Sequence, residues 1–194
     1  MSENKVTFGL DKVHIAFFDD VATEQPAWEV PIPIPGAVRW APEAQGEAST
    51  FYADNTTYFV ATSNNGYTAE LEMALIPDEV KVRIFGWKID DNGLLVEVSD
   101  GMPEKFALMG QVLGDKRNRR FVYYDCQAAR TAKELTTKGE SIEITGETLS
   151  LTVSPIELDG VNIVKGDLEL SATNATQFNS FFTTVYTPTF TAGE

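Results

Sequence analysis

The 194-residue chain has few of the side chains on which enzymes and metal sites depend. It contains one cysteine, Cys126, and one histidine, His14, so it can form neither an internal disulfide nor a cluster of thiolate and imidazole ligands. Both lie in strand-like stretches, where we expect structural roles. The sequence shows no nucleophile paired with a base and no glycine-rich phosphate loop. We therefore expect a protein that is not an enzyme and that needs no cofactor or metal.

Basic residues and long apolar runs are also scarce. The chain has 15 Lys and Arg against 29 Asp and Glu, a net charge of -14. We do not expect it to bind duplex DNA, because it has few cations with which to neutralise phosphates. The acidity serves either solubility or the repulsion of a polyanion that slides past, and the sequence leaves both open. No apolar run is long enough for a transmembrane helix, and the N-terminus lacks signal-peptide features, so we expect synthesis in a cytoplasm.

What the sequence does contain is a succession of strand patterns. From Tyr67 to Leu75 apolar and polar residues alternate, with Glu70 and Glu72 on the wet face. Prolines at every second position from Pro31 to Pro35 predict an edge strand or extended strap over 29–40. Further strands are predicted at 6–18, 106–112, around 121–123, at 142–153 with a bulge near Gly146, and at 168–172.

Two helices are predicted to accompany the strands. The first begins at Pro77 and ends at Gly86, residue types that suit a helix start and stop. The second spans 174–186, capped by Asn174 or Thr176, because four apolar residues recur at helical spacing. Those residues are Phe178, Phe181, Phe182 and Val185. Threonines in this segment are weak helix formers, so packing must stabilise the helix.

Two charged segments are predicted to be turns. The acidic run 90–93 ends in Asn-Gly and lacks the spaced ligands of a calcium loop, so a turn explains it. The single basic cluster, GDKRNRR at 114–120, is either a solvated hairpin tip or a contact to an acidic neighbouring subunit. The candidate residues for that contact are Lys116, Arg117, Arg119 and Arg120.

Several short motifs, each weak alone, occur in an order that resembles one protein family. They are FGL followed by VH near the start, then IPGAV, FYADN, SNNGY, ALIPD, DDNG, KFAL, GDK, YYDC and SIEITGETLSLTVSP. This succession resembles the major tail proteins of long-tailed siphophages, the subunits of the tail tube. The expected hosts are Gram-positive bacteria.

The resemblance implies a single domain over 1–194 that is mainly β, a tail-tube-type β-sandwich or barrel with one or two flanking α-helices. It implies a structural virion protein that self-assembles into stacked hexameric rings, the tube through which DNA is ejected. The implied partners are other copies of the chain, the tape measure protein, the tail terminator and distal tail proteins. DNA is expected only in transit, without specific binding, and no membrane is involved. The implied location is the virion tail, after synthesis in the host cytoplasm.

The resemblance also implies an extended inter-subunit loop, which by position is 43–58. Its glycine, serine, aspartate and asparagine disfavour a regular free strand, so we expect it to be mobile in the monomer and ordered by a neighbour. The assembly residues are then Glu43, Phe51, Tyr52, Asp54, Asn55 and Tyr58. Glu70 and Glu72 are the candidate lumen-facing acids.

A second function class stays open beside the tail tube. A soluble β-sandwich binding module for a carbohydrate or protein ligand would expose an aromatic platform built from Trp28, Trp40 and Trp87. It would be monomeric, whereas a tube subunit self-associates.

Overall fold

The computed structural model describes residues 9–21, 25–53, 56–114, 118–130 and 146–190. They form a mainly β fold with two short helices, which confirms the predicted fold class. The strands are β1 Leu10–Phe17, β2 Ile32–Pro33, β3 Ala37–Ala44, β4 Ala48–Ala53, β5 Thr56–Thr62, β6 Tyr67–Met73, β7 Lys88–Ile89, β8 Leu95–Val96, β9 Phe106–Val112, β10 Arg120–Ala129, β11 Glu147–Ser154, β12 Ile156–Leu158, β13 Val161–Ile163 and β14 Lys165–Leu168. The helices are α1 Asp78–Phe85 and α2 Ala175–Ser180.

The main sheet is antiparallel, in the order β2-β1-β9-β10-β11-β6-β3, with β14 pairing the first half of β10. The segment between β2 and β3 joins its two edges. Ile34 donates its N–H to the Val13 carbonyl at 2.8 Å, and Gly36 accepts from the Ala74 N–H at 2.7 Å. The sheet therefore curls towards a barrel, and β1 contacts β3.

The inner face of this curled sheet carries the larger hydrophobic core. Alternate residues of each strand point into it, among them Ile15, Leu71 and Tyr123. Helix α1 packs on the same face through Val80 and Ile84, both buried. The predicted helix is confirmed with one adjustment: Pro77 is the cap that precedes it rather than its first residue, and Gly86 ends it in the left-handed region at φ 68°.

The outer face of β1, β9 and β10 is covered as well. A second core forms there from Met109, Val122, Tyr124, Leu158 and Phe181 together with small side chains of the sheet. Its cover is the β12–β13 hairpin and the C-terminal segment 174–190. The centre of the sheet is thus buried on both faces.

The second helix is shorter than predicted. It ends at Ser180 instead of continuing to residue 186, and the chain goes on through turns in which Ser180 O accepts the N–H groups of Thr183 and Thr184. Weak helix propensity explains the early stop, while burial of Phe181 keeps the segment docked. Asn174 occupies the cap position, but its side chain bonds Ser171 N–H and Glu169 O rather than the helix.

Most strand predictions hold, with differences at the ends. The proline-rich strap forms the short edge strand β2 and leads into β3, the opposite edge. The last alternating strand, predicted at 168–172, is instead β14 at Lys165–Leu168, and Leu170 and Ala172 lie exposed beyond it. The slip predicted near Gly146 depends on residues 142–145, which lie outside the described part of the chain.

The segment predicted as an irregular loop, 43–58, is strand on both sides of its centre. β4 and β5 pair in an antiparallel hairpin, with Ala48 opposite Thr62. The hairpin prolongs the β3–β6 ladder, because Glu47 accepts the Ser63 N–H at 3.0 Å. Pairing between two stretches rich in β-branched and aromatic residues outweighs the turn-forming residues that favoured a loop. We call residues 48–62 the arm.

Candidate assembly surface

One side of the sheet is left wet, and we call it the polar sheet: β3, β6, β11 and the end of β10 at 127–129. Its outer face carries Arg39, Ala41, Glu43, Thr68, Glu70, Glu72, Gln127, Ala129, Thr148, Ser150 and Thr152, all exposed or half-buried. The register places Ala41, Glu70, Ser150 and Ala129 in one row across the four strands. The opposite face of these strands is part of the inner core, so every second residue must be polar.

The charged groups of this face, among the residues described, are the carboxylates of Glu43, Glu70 and Glu72 and the guanidinium of Arg39. Arg39 Nη1 is 3.0 Å from Glu70 Oε2, and both side chains are more than half exposed, at 57% and 56%. A shallow depression of about 290 Å³ runs along the face between Arg39, Glu43 and Thr152. The described side chains of this face are hydroxyls, an amide, carboxylates, one guanidinium and small apolar groups, without an aromatic ring, so the surface is polar and net acidic.

The polar sheet ends in an unpaired edge on each side within the described part of the chain. β3 pairs with β6 alone, and β10 beyond Cys126 pairs with β11 alone, because its register with β9 ends at Cys126 opposite Phe106. Exposed edges offer unpaired N–H and C=O groups to another chain. A four-stranded sheet with two such edges can be extended by other copies in both directions.

The structure places the two candidate lumen-facing acids on one face of β6. Glu70 is exposed and Glu72 half-buried on the polar sheet, as their alternation predicted. Glu43 joins them on β3, although the sequence assigned it to the loop. The hydroxyls of Ser150 and Thr152 complete the face and were not singled out. Their signal was present in the sequence, as the polar positions that alternate with Leu149, Leu151 and Val153.

Other predicted assembly residues belong to the arm. Phe51 and Tyr52 lie in β4 and Tyr58 in β5. Asp54 and Asn55 lie outside the described residues. The arm forms a two-stranded sheet of its own, which follows on from the β3–β6 ladder through the bond between Ser63 and Glu47.

The basic cluster is not one surface, which corrects the prediction for Arg120. That side chain is buried, with its guanidinium carbon 3.8 Å from the Phe178 ring centre and 4.7 Å from that of Phe182. It donates to Gln111 Oε1 at 3.2 Å and to the Phe178 carbonyl, and desolvation lowers its pKa. Arg120 lies on the outer face of β10, the same face as Val122 and Tyr124, so it fastens the C-terminal segment to the sheet instead of meeting a neighbour.

The rest of the cluster divides as well. Arg119, half-exposed, forms an ion pair with Glu169 of the same chain. Lys116 and Arg117 lie outside the described residues, so their contact with a neighbour stays a prediction.

The tryptophans do not meet on one platform. Trp28 packs on Tyr124 and donates Nε1–H to its carbonyl at 3.2 Å, on the outer face. Trp40 packs edge-on against Tyr123, on the inner face. Because Tyr123 and Tyr124 are neighbours on one strand, Trp28 and Trp40 lie on opposite faces of the sheet. Trp87 lies beside Phe85 at the end of α1.

Cys126, His14 and the acidic turn at Asp90 all make contacts within the fold. Cys126 is fully buried, and burial raises the pKa of its thiol. His14 is half-buried and stacks on Phe182 with ring centres 4.6 Å apart. In the acidic turn Asp90 accepts from Leu94 N–H and Asn92 N–H, bonds that lower its pKa, and the turn closes the β7–β8 hairpin as predicted.

Across the ranges described above, no group of three or more His, Cys, Asp or Glu is placed to hold a metal ion. Neither helix is long and apolar enough to cross a membrane, among the residues covered by the structure. No protein-family model matches the sequence, and the curated proteins contain no match to it. The likeness to tail-tube subunits rests on the motifs alone and stays a prediction.

Proposed function

We propose that this chain is a non-enzymatic tail-tube subunit of a siphophage, which self-assembles into stacked hexameric rings. The observation that carries the proposal is the polar sheet, which is four strands wide and wet on one face. Neither of its edges is paired by another strand within the residues that the structure describes. A monomeric protein has little reason to leave two edges of one sheet open. A ring of copies pairs every edge and leaves none.

In the proposed ring, the β3 edge of one copy lies beside the end of β10 in the next. The polar sheets then form one continuous wall, and their outer faces line the lumen. Glu43, Glu70 and Glu72 would place three carboxylates per copy on that wall, with Arg39 as the described counter-charge. The resulting negative field repels phosphates, so DNA can pass without binding.

The remaining partners follow from the same assembly. The tape measure protein occupies the lumen before ejection, and the tail terminator and distal tail proteins meet the two ends of the tube. The arm of residues 48–62 projects from the wall and reaches a neighbouring subunit or ring. The subunit is made in the host cytoplasm and resides in the virion tail.

Negative-stain microscopy of the purified protein tests the assembly directly, since tubes or rings are expected. A cysteine ladder tests the geometry. A panel pairs Ala41→Cys or Glu43→Cys with Gln127→Cys or Ala129→Cys, because these positions lie on the same face at the two edges. Mild oxidation of the correct pair gives disulfide-linked oligomers that stop at six on non-reducing gels. The buried Cys126 does not interfere.

Each cysteine alone is the matched control and gives no ladder. Absence of a ladder from every pair, in protein that microscopy shows as particles of monomer size, would contradict the ring. The binding module for a carbohydrate or protein ligand would then be the better proposal, although Trp28 and Trp40 lie on opposite faces of the sheet.

A further inference from the structure

Pro42 lies in β3, and its backbone nitrogen lies in the plane of the sheet on the side of the strand away from β6. Gln45, just beyond the strand, donates its N–H to Gly66 O and accepts the N–H of Asn65, each at 2.9 Å. Backbone polar groups alternate sides along a strand. The backbone N–H and C=O groups of the odd-numbered residues in this part of β3 are therefore directed at β6. Those of Trp40, Pro42 and Ala44 are directed at the open edge.

The open edge is consequently incomplete as a template for pairing. Trp40 and Ala44 each offer an N–H and a carbonyl, but Pro42 offers a carbonyl alone. No bond inside the subunit is lost, because Pro42 is opposite Ala69 at a position where the ladder bonds come from its neighbours. The proline affects only a strand that arrives from outside.

The effect differs between two ways of adding a second copy. If two β3 strands pair symmetrically, two prolines enter one ladder, and two carbonyls opposite them are left without a donor. If the end of β10 adds to β3, only one donor is missing. Unsatisfied groups at a buried ladder are costly, so the symmetric pairing carries twice the penalty.

We propose that Pro42 prevents free subunits from pairing β3 to β3, and so keeps this edge open for a different strand of a second copy. A symmetric pair is closed and would remove two subunits from ring growth. The identity of the incoming strand rests on the proposed function, but the block on β3–β3 pairing does not.

Sedimentation velocity on Pro42→Ala tests the block. The variant restores a donor to the edge, and we expect it to form a dimer with a dissociation constant at least about tenfold below that of wild type, a difference of about 1.4 kcal/mol. Hydrogen exchange locates the contact, because the amides of Trp40 and Ala44 should become protected in the dimer. The double variant P42A/A44P removes a donor from the same edge again and should return to the wild-type behaviour. Pro103→Ala, at an exposed position outside the strands, is the matched control.

Near-UV circular dichroism checks the fold, and Pro42→Val replaces P42A if the alanine variant loses its signal. A variant that sediments as wild type overturns the proposal, as does a dimer in which the amides of Trp40 and Ala44 stay unprotected. If wild-type protein forms no rings while the variant pairs through this edge, the block on pairing stands and the tube function fails. If wild-type rings form and the variant does not pair, the reverse holds.

Discussion

The two halves of the sheet are built from the same kind of strand but are covered differently. Around β1, β9 and β10 both faces are buried, by α1 and the inner core on one side and by the C-terminal segment on the other. Around β3, β6 and β11 the outer face is left to water. The first half uses its side chains for stability. The second is stable through one face only, which leaves the other available for a role outside the subunit.

Truncation of a side chain to alanine is expected to give the largest difference in unfolding free energy between the two halves. Phe181→Ala empties a fully buried ring site in the outer core, and we expect a loss of about 3–5 kcal/mol in the free energy of unfolding. Thr152→Ala on the polar sheet is the matched change and should stay within about 0.5 kcal/mol. Denaturant unfolding of both variants measures the difference. Equal losses of unfolding free energy would mean that the outer face of the polar sheet contributes as much to stability as the outer core.

Two adjacent arginines sharpen the comparison. Arg120→Ala removes stacking on two phenylalanine rings and two hydrogen bonds in the covered half, so we expect a loss of about 2–4 kcal/mol. Arg119→Ala removes a half-exposed ion pair with Glu169 and should cost at most about 1 kcal/mol. Urea titrations of the two variants give the contrast. A similar cost for both would show that the buried guanidinium contributes little beyond its surface neighbour.

A third test uses the pH dependence of the Arg83–Glu29 ion pair, which links α1 to the segment before β2. Arg83 binds Glu29 through two bonds of 2.7 and 2.9 Å, and these bonds lower the pKa of Glu29. A lowered pKa means that the unfolded chain binds the proton more readily. The stabilisation is therefore present above pH about 4.5 and is lost as the pH falls through the lowered value.

Because Glu29 is 41% exposed, we expect this contribution to be at most about 1 kcal/mol. Glu29→Gln should flatten the dependence of unfolding free energy on pH between pH 3 and 5, measured by thermal or denaturant unfolding in matched buffers. Glu157→Gln, at an exposed position of β12, controls for the loss of one charge. An unchanged slope in E29Q would contradict the role of this carboxylate.

The smallest effect on stability is expected for charge reversal on the polar sheet. Glu72→Lys and Glu43→Lys together should change the free energy of unfolding by less than about 0.5 kcal/mol, because Glu43 is exposed and the half-buried Glu72 lies on the wet face of β6. If the chain forms the proposed tubes, the two substitutions should nevertheless raise the affinity of these tubes for duplex DNA, which a filter or fluorescence binding assay at low salt measures. Glu79→Lys with Asp78→Lys, on exposed positions of α1, provides the same charge change elsewhere. Equal DNA binding by the two double variants would contradict the proposal that Glu43 and Glu72 line a lumen.

The sequence predicted locally encoded elements better than features that depend on long-range contacts. Alternation located β6 and β9 and the Pro77 to Gly86 helix, because period and capping residues are local signals. Arg120 was misassigned, since only the fold brings Phe178 and Phe182 around a guanidinium that adjoins a basic turn. The arm was misread because turn residues are visible in a sequence, whereas the partner strand that overrides them is not. Only part of the polar sheet could be predicted from the sequence. The alternation on β6 located Glu70 and Glu72, but the row from Ala41 to Ala129 depends on the register between strands that are distant in the chain.

The order of strands in the sheet also determines when the subunit can fold during synthesis. β1 is the first of the described strands to leave the ribosome, yet its neighbour β9 lies far along the chain: Leu10 pairs with Val112, about one hundred residues later. At roughly 5–20 residues per second, that interval lasts on the order of 5–20 s. Throughout it Ile15 and Phe17 lack their native cover, so the nascent chain depends on dilution or chaperones until β9 and β10 have emerged.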